Sequence, residues 1–317
     1  MKSKILVLAT IFFLMVASLF VGVSDVSLGS LFSDPLALNV FVTSRFPRTL
    51  AIILTGASMS IAGLIMQMIM KNRFVEPSMV GTTQSATLGL IAVTLLYPGA
   101  SLMLKMLVSC ITALIGLYVF MLIARRLPPS AYLMLPLVGI IYGGVIGAAA
   151  TFIAFEMDMM QFLAAWINGD FSSVLAGRYE LLWLTGILGV TAYLFANQFT
   201  IAGLGKEMST NLGLNYGTIV TIGLGIVAII TAIVVVTVGA IPFIGLVVPN
   251  IISRLMGDNL RVTLPWIAVM GAGLVLACDL IGRLANYPYE IPVGTIIGIL
   301  GTLVFLYLLF VKPAHAR

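Results

Sequence analysis

Apolar runs about as long as a bilayer is thick follow one another through the chain, at approximately 4–23, 46–70, 79–97, 102–124, 132–155, 179–199, 216–238, 241–256, 264–284 and 292–311. A helix of about 20 residues crosses the ~30 Å hydrocarbon core, and inside that core a helix satisfies its own backbone polar groups. The runs therefore predict an all-α, polytopic membrane helix bundle of about ten transmembrane helices, with 1–317 forming a single domain. Charged residues make up 9% of the chain and hydrophobic ones 61%, whereas a soluble domain carries about 25% charge to keep its surface hydrated. The 31 glycines fit the same picture, because small residues let helices approach closely where lipid gives no hydrophobic drive to packing. The first run follows Lys2 and Lys4 but leads to no small-residue cleavage site with a soluble domain behind it, so it reads as a span. The stretch Gly239-Ala240-Ile241-Pro242-Phe243-Ile244-Gly245 is expected to interrupt a helix, since Pro removes a backbone donor and Gly permits unusual dihedrals.

With the N-terminus placed in the cytoplasm, an even span count puts both termini there. Lys2, Lys4, Lys71, Arg73, Arg125, Arg126, Lys206, Arg254, Arg261, Lys312 and Arg317 then lie inside. Arg45, Arg48, Lys105, Arg178 and Arg283 are left on or near the outside. This excess of inner basic residues is the one that sets orientation in membranes. Asp25, Asp34, Glu156, Asp158, Asp170, Glu180, Asp279 and Glu290 lie toward the outer side. The net charge of +5 is thus mostly an address in a lipid bilayer and gives no reason to expect a nucleic-acid partner.

Clustered metal ligands and catalytic side chains are missing from the sequence. The only histidine is His315, Cys110 and Cys278 sit inside apolar runs, and no Gly-rich phosphate loop with a Lys occurs. The sequence implies no cofactor, no metal and no ATP hydrolysis by this chain. No acid stands alone at mid-span, as a proton- or sodium-coupled carrier would require; Asp279 and Arg283 share a helix face at i,i+4 and are expected to pair. Energy must then come from a partner, which needs a docking element on the inner face. The segment from Leu204 through Gly205, Lys206, Glu207, Leu212 and Gly213 to Leu214 reads as a short amphipathic helix with Gly at both ends. An ordinary inter-helix loop is the plainer reading of its periodicity alone. A solitary secondary carrier or channel is the rival functional class, and it predicts transport without any ATPase.

Three ordered groups of residues resemble the FecCD-type permeases of ATP-binding-cassette importers. The first is Arg45-Phe46-Pro47-Arg48 with Gly56, Ala57, Gly63, Gln67, Asn72, Pro77 and Gly81, and the second is the 204–214 segment. The third runs from Val238 to Asn250 and on through Arg254, Gly257, Asp258, Leu264, Pro265, Gly271, Asp279, Arg283, Glu290 and Gly294. Trp166-Ile167-Asn168-Gly169-Asp170 is similar to the family's W-x-x-G-S segment. Arg73-Phe74-Val75 departs from the usual Pro-Leu-Ala, Asn250 stands where many members have His, and Gly301-Thr302 where Gly-x-Pro is common.

The resemblance implies a type II importer permease in a bacterial inner or plasma membrane, paired with a second permease subunit as a homodimer or a paralogue heterodimer. It implies two ATP-binding subunits, an extracytoplasmic solute-binding protein and a path along the subunit interface. The implied cargo is an iron-siderophore complex, with haem and cobalamin left open. By motif position, Arg45, Arg48 and Arg283 would dock the binding protein. Leu204, Gly205, Lys206, Glu207, Leu212 and Gly213 would couple to the ATPase, and Pro129 and Ser130 would lie at an inner gate. Guanidiniums on the outer side run against the inner-basic bias, and their fixed forks suit carboxylates on an acidic partner. The plainer alternatives are that Arg45 and Arg48 neutralise Asp34 or lipid headgroups, and that Arg283 simply pairs with Asp279.

Overall fold

The computed structural model describes residues 2–22, 27, 29–124, 126–127 and 134–310. Regular structure among them is helical: α1 (Lys2–Phe20), α2 (Ser30–Ser33), α3 (Pro35–Val40), a π turn (Phe41–Arg45) and α4 (Phe46–Met70). A 3₁₀ turn (Pro77–Val80) leads into α5 (Thr82–Leu96), followed by α6 (Leu102–Ala124), α7 (Leu135–Glu156) and α8 (Met160–Ile167). The chain continues through α9 (Leu182–Leu194), α10 (Ala196–Gly203), α11 (Lys206–Asn211), α12 (Tyr216–Val238), α13 (Ile244–Met256), α14 (Leu260–Leu284) and α15 (Val293–Phe310).

Among the described residues, five helical stretches are long and apolar enough to cross a bilayer: Pro35–Met70, α6, α7, α12 and α14. The pair α9 and α10, bent by 64° at their junction, is long and apolar enough in sum for a sixth crossing. The shorter apolar helices α1, α5, α13 and α15 occupy the remaining runs. The chain is a multi-pass membrane protein, and its helices take up the ten apolar runs in order.

The bundle is built around α4, which packs against α14, α13, α12 and α9. Glycine sets how close those approaches are. A Cβ added to Gly56 would fall 2.4 Å from the Gly271 carbonyl oxygen, and one added to Gly63 would fall 2.0 Å from that of Gly245. These are backbone contacts between helices, which no larger side chain permits. On α7, by contrast, Leu137, Ile140, Ile141, Val145, Phe152 and Phe155 point outward, as befits a face turned to lipid or to another helix.

Several interruptions of the helices are repaired by a partner, as a low-dielectric surrounding favours. Pro47 has no N–H to give the Thr43 carbonyl four residues back, and the Ala176 N–H donates to that carbonyl instead at 2.9 Å. Pro249 deprives the Gly245 carbonyl in the same way, and the Gln67 side-chain amide donates to it at 3.1 Å. The interruption expected within 239–245 separates α12 from α13, with Gly239 at φ 87° and Phe243 at φ 66°. There the buried Glu76 carboxylate accepts from the Phe243 N–H at 2.9 Å, and the Ala240 N–H donates to the Trp166 carbonyl at 2.8 Å. Gly301 leaves room for Phe243, whose Cβ lies 2.4 Å from where a Cβ at 301 would sit.

Replacing Gly63 with Val is expected to destabilise the bundle by about 1–3 kcal/mol through overpacking against Gly245, lowering the thermal unfolding midpoint of the purified protein in detergent. Gly144→Ala, at a position facing open space, serves as the control and leaves that midpoint in place.

Candidate functional site

Two polar assemblies stand out from an otherwise apolar molecule. The first joins the ends of α1, α4 and α14. Arg48 donates through Nη2 to Oδ1 of Asp279 at 2.7 Å and through Nη1 to Oε2 of Glu290 at 2.7 Å. Arg283, one turn beyond Asp279 on α14, pairs with its second carboxylate oxygen. The Arg283 guanidinium also donates to the Ser18 and Val21 carbonyls, each at 2.9 Å, and Arg45 Nη1 donates to the Val21 carbonyl at 2.6 Å. Helix carbonyls at a C-terminus lack intrahelical donors, and cations near them are stabilising. The two arginines therefore cap α1. Gly22 is what lets Arg45 reach there, since a Cβ at that position would fall 1.6 Å from Nη1.

The three arginines assigned from sequence to partner docking are thus brought together, but inside the molecule: Arg283 is 2% exposed, and Arg45 and Arg48 are also buried. Glu290, with its side chain 25% exposed, is the more accessible of the two carboxylates, Asp279 being fully buried. The i,i+4 pairing of Asp279 with Arg283 is present as expected. Asp34 is not the partner of Arg48; its carboxylate caps α3 by accepting from the Leu36 N–H at 2.9 Å. The roles of Ser18 and Gly22 were not visible in the sequence, because only the fold brings the end of α1 against α4 and α14.

The second assembly lies where α10 turns into α12. The segment expected to be a short helix is α11, with Gly205 preceding it at φ 107° and Gly213 following it at φ 79°. Its end is closed in the manner of a Schellman cap: the Leu214 N–H donates to the Ser209 carbonyl at 2.9 Å and the Gly213 N–H to that of Thr210 at 2.9 Å. The Ser209 hydroxyl lies between two carbonyls, that of Gly205 at 2.6 Å and that of Ile201 at 2.9 Å, which brings α11 against α10. Leu204, Met208 and Leu212, spaced four residues apart, are all exposed, as are Lys206 and Glu207. An exposed apolar row flanked by charge is the kind of surface that seats in a partner's groove. Met208 is an addition to the residues singled out from sequence. Pro129 and Ser130 lie outside the described residues.

The departures from the family pattern cluster in space. Arg73 pairs with Asp258 at 2.6 Å, and Asn250 donates to the Arg73 carbonyl at 2.7 Å. Phe74 meets Phe305 edge to face, with ring centroids 5.9 Å apart. Each unusual residue thus has a local partner, which ties the turn after α4 to α13 and α15. Among the described residues no group of His, Cys, Asp and Glu is arranged to hold a metal.

Comparison with known proteins agrees with this architecture. The model of the FecCD transport family matches residues 7–311. The petrobactin import system permease protein YclN of Bacillus subtilis (strain 168) is 46% identical over 96% of this chain and 96% of its own length. The petrobactin import system permease protein FatD of Bacillus anthracis is 40% identical over 100% of this chain and 93% of its own. Among solved structures, an inward-facing metal-chelate type ABC transporter superposes with a TM-score of 0.83, covering 98% of this chain and 99% of that one at 21% identity. That likeness establishes the fold.

Because Asp279 pairs with two buried guanidiniums, Asp279→Asn is expected to cost about 3–5 kcal/mol, the range for removing one partner of a buried ion pair. Asp258→Asn, which breaks the half-exposed pair with Arg73, is expected to cost less than about 1 kcal/mol. Thermal unfolding of the two variants beside the parent protein checks both values.

Proposed function

The chain belongs to the FecCD transport family, and we propose that it is the membrane-spanning subunit of an ATP-binding-cassette importer that moves a ferric siderophore into the cell. The observation that carries this reading is a family match reaching from residue 7 to residue 311, and the short exposed helix α11 supports it. The cargo class is supported by the relatives YclN and FatD, both named as petrobactin import permeases.

In this reading the chain pairs with a second permease subunit in a bacterial inner membrane, both termini facing the cytoplasm, and two ATP-binding subunits sit beneath the pair. ATP-driven closure of those subunits pushes on α11. The apolar row of Leu204, Met208 and Leu212 supplies the grip, because exposed charges such as Lys206 and Glu207 add little to such contacts. Gly205 and Gly213 fix the angle at which the row is presented, since both hold positive φ. The bundle then alternates access to a path along the subunit interface. The solute-binding protein selects the cargo, so the spans need few specific ligand contacts.

The outer cluster is proposed as the seat of that binding protein. It gathers Arg45, Arg48 and Arg283 beside Asp279 and the partly exposed Glu290, and guanidinium forks suit carboxylates on an acidic partner. Such complementarity steers encounter and fixes register.

Uptake of radio-iron-labelled petrobactin into vesicles is the decisive experiment. Transport is expected only when the ATP-binding subunits and ATP are both present, and uptake by the permease alone would overturn the proposal. Leu212→Asp is expected to lower ATP-driven uptake by about ten-fold or more, with membrane insertion and thermal unfolding unchanged. Arg45→Gln is expected to weaken capture of the binding protein by about three- to ten-fold, with the larger effect at low salt, where screening is least. Pull-down of the binding protein at two ionic strengths measures it.

A further inference from the structure

Five basic residues lie toward the outer side, and the ionic cluster accounts for Arg45, Arg48 and Arg283. The other two, Lys105 near the start of α6 and Arg178 in the loop before α9, line a single cavity of about 810 Å³. Its walls come from α6, α8, the 168–178 loop, the end of α12 and Pro292 ahead of α15. Trp166, whose ring packs on Phe162 at a centroid distance of 5.7 Å, gives the cavity an aromatic wall. Leu102, Val174, Val236 and Val238 make much of the rest apolar.

The cavity is also cationic. Asp170 is its one acidic wall residue, and both oxygens of that carboxylate are engaged, accepting from the Ser172 N–H at 2.8 Å and the Ser172 hydroxyl at 2.6 Å. The neighbouring Glu180 accepts from the Gly177 N–H at 2.6 Å. Neither carboxylate forms an ion pair with Lys105 or Arg178 among the described residues. Two cations, an aromatic face and apolar walls around a ligand-sized space form a receptive site for an anionic, ring-bearing molecule.

We propose that this cavity is an outer-side binding site for an anionic ferric chelate, with Lys105 and Arg178 as the residues that set its charge preference. The proposal rests on the importer reading above and narrows its substrate class. Ferric iron held by three doubly charged catecholates is anionic, whereas iron held by three singly charged hydroxamates is neutral. The two cations of the wall favour the first, and Trp166 adds an aromatic residue to the lining that suits a ring-bearing ligand.

Equilibrium binding of radio-iron-labelled chelates to the assembled transporter in lipid nanodiscs tests the assignment, with ferric tris-catecholate as the anionic probe and ferric tris-acetohydroxamate as the neutral one. Binding of the catecholate is expected to be about ten-fold tighter, and the preference is expected to vanish in the double variant K105Q/R178Q and to persist in K105R/R178K. Equal binding of the two probes, or a preference that survives K105Q/R178Q, overturns the proposal. The measurement is run in discs of phosphatidylcholine and in discs containing phosphatidylglycerol. A preference confined to the former gives the two cations to lipid phosphate and also overturns it. ATP-driven uptake by the same preparation keeps the two readings apart: a working importer without charge preference sinks the cavity assignment alone, and failure of ATP-driven uptake sinks the importer.

Discussion

A bilayer offers a backbone no water to bond with, and the places where this chain breaks a helix are shaped by that constraint. Pro47 and Pro249 each strip a carbonyl of its helical donor, and each carbonyl receives another, from the Ala176 N–H and the Gln67 amide. The end of α1 is closed by Arg45 and Arg283, and the start of α13 by Glu76. These partners come from far along the chain. Repairing the breaks is therefore also what ties the helices to one another, and the positions of α1, α4, α13 and α14 follow from it.

The apolar runs made most of the fold legible. The sequence-read runs 46–70, 102–124 and 216–238 coincide with α4, α6 and α12, because hydrophobicity alone decides which residues enter lipid. Where the reading slipped, a local cue misled. The run read as 264–284 begins late because Arg261 interrupts its hydrophobicity, yet α14 starts at Leu260, where the Asn259 side chain caps it by accepting from the Arg261 N–H. The run 179–199 hid a 64° bend at Phe195, where neither Pro nor Gly announces a kink.

The candidate sites were legible to unequal degrees for the same reason. Local features carried through: the pairing of Asp279 with Arg283 and the glycine-bounded helix α11 both follow from spacing of a few residues. Contacts such as Arg48 with Asp279 and Arg283 with Ser18 join residues more than two hundred positions apart, and a single sequence does not encode them in any readable period. The five basic residues assigned from sequence to the outer side were visible as exceptions to the inner-basic bias. Only the fold divides them into three that form an internal cluster and two that line a cavity.

Burying an ionic cluster seldom stabilises a protein over a well-packed apolar alternative, so its presence is better understood through what it positions. Arg48 and Arg283 hold the ends of α1, α4 and α14 together on one side, while Gln67 and the Gly63–Gly245 contact lock α4 to α13 farther along. A core pinned at both levels resists shear, because packed interfaces deform in discrete steps. In the proposed coupling, force applied at α11 reaches α10 through the Ser209 hydroxyl and meets the bend between α10 and α9 next. In that proposed coupling the bend, beside the pinned core, converts a push at α11 into tilt, with α4 as the fixed member against which α9 and α10 turn.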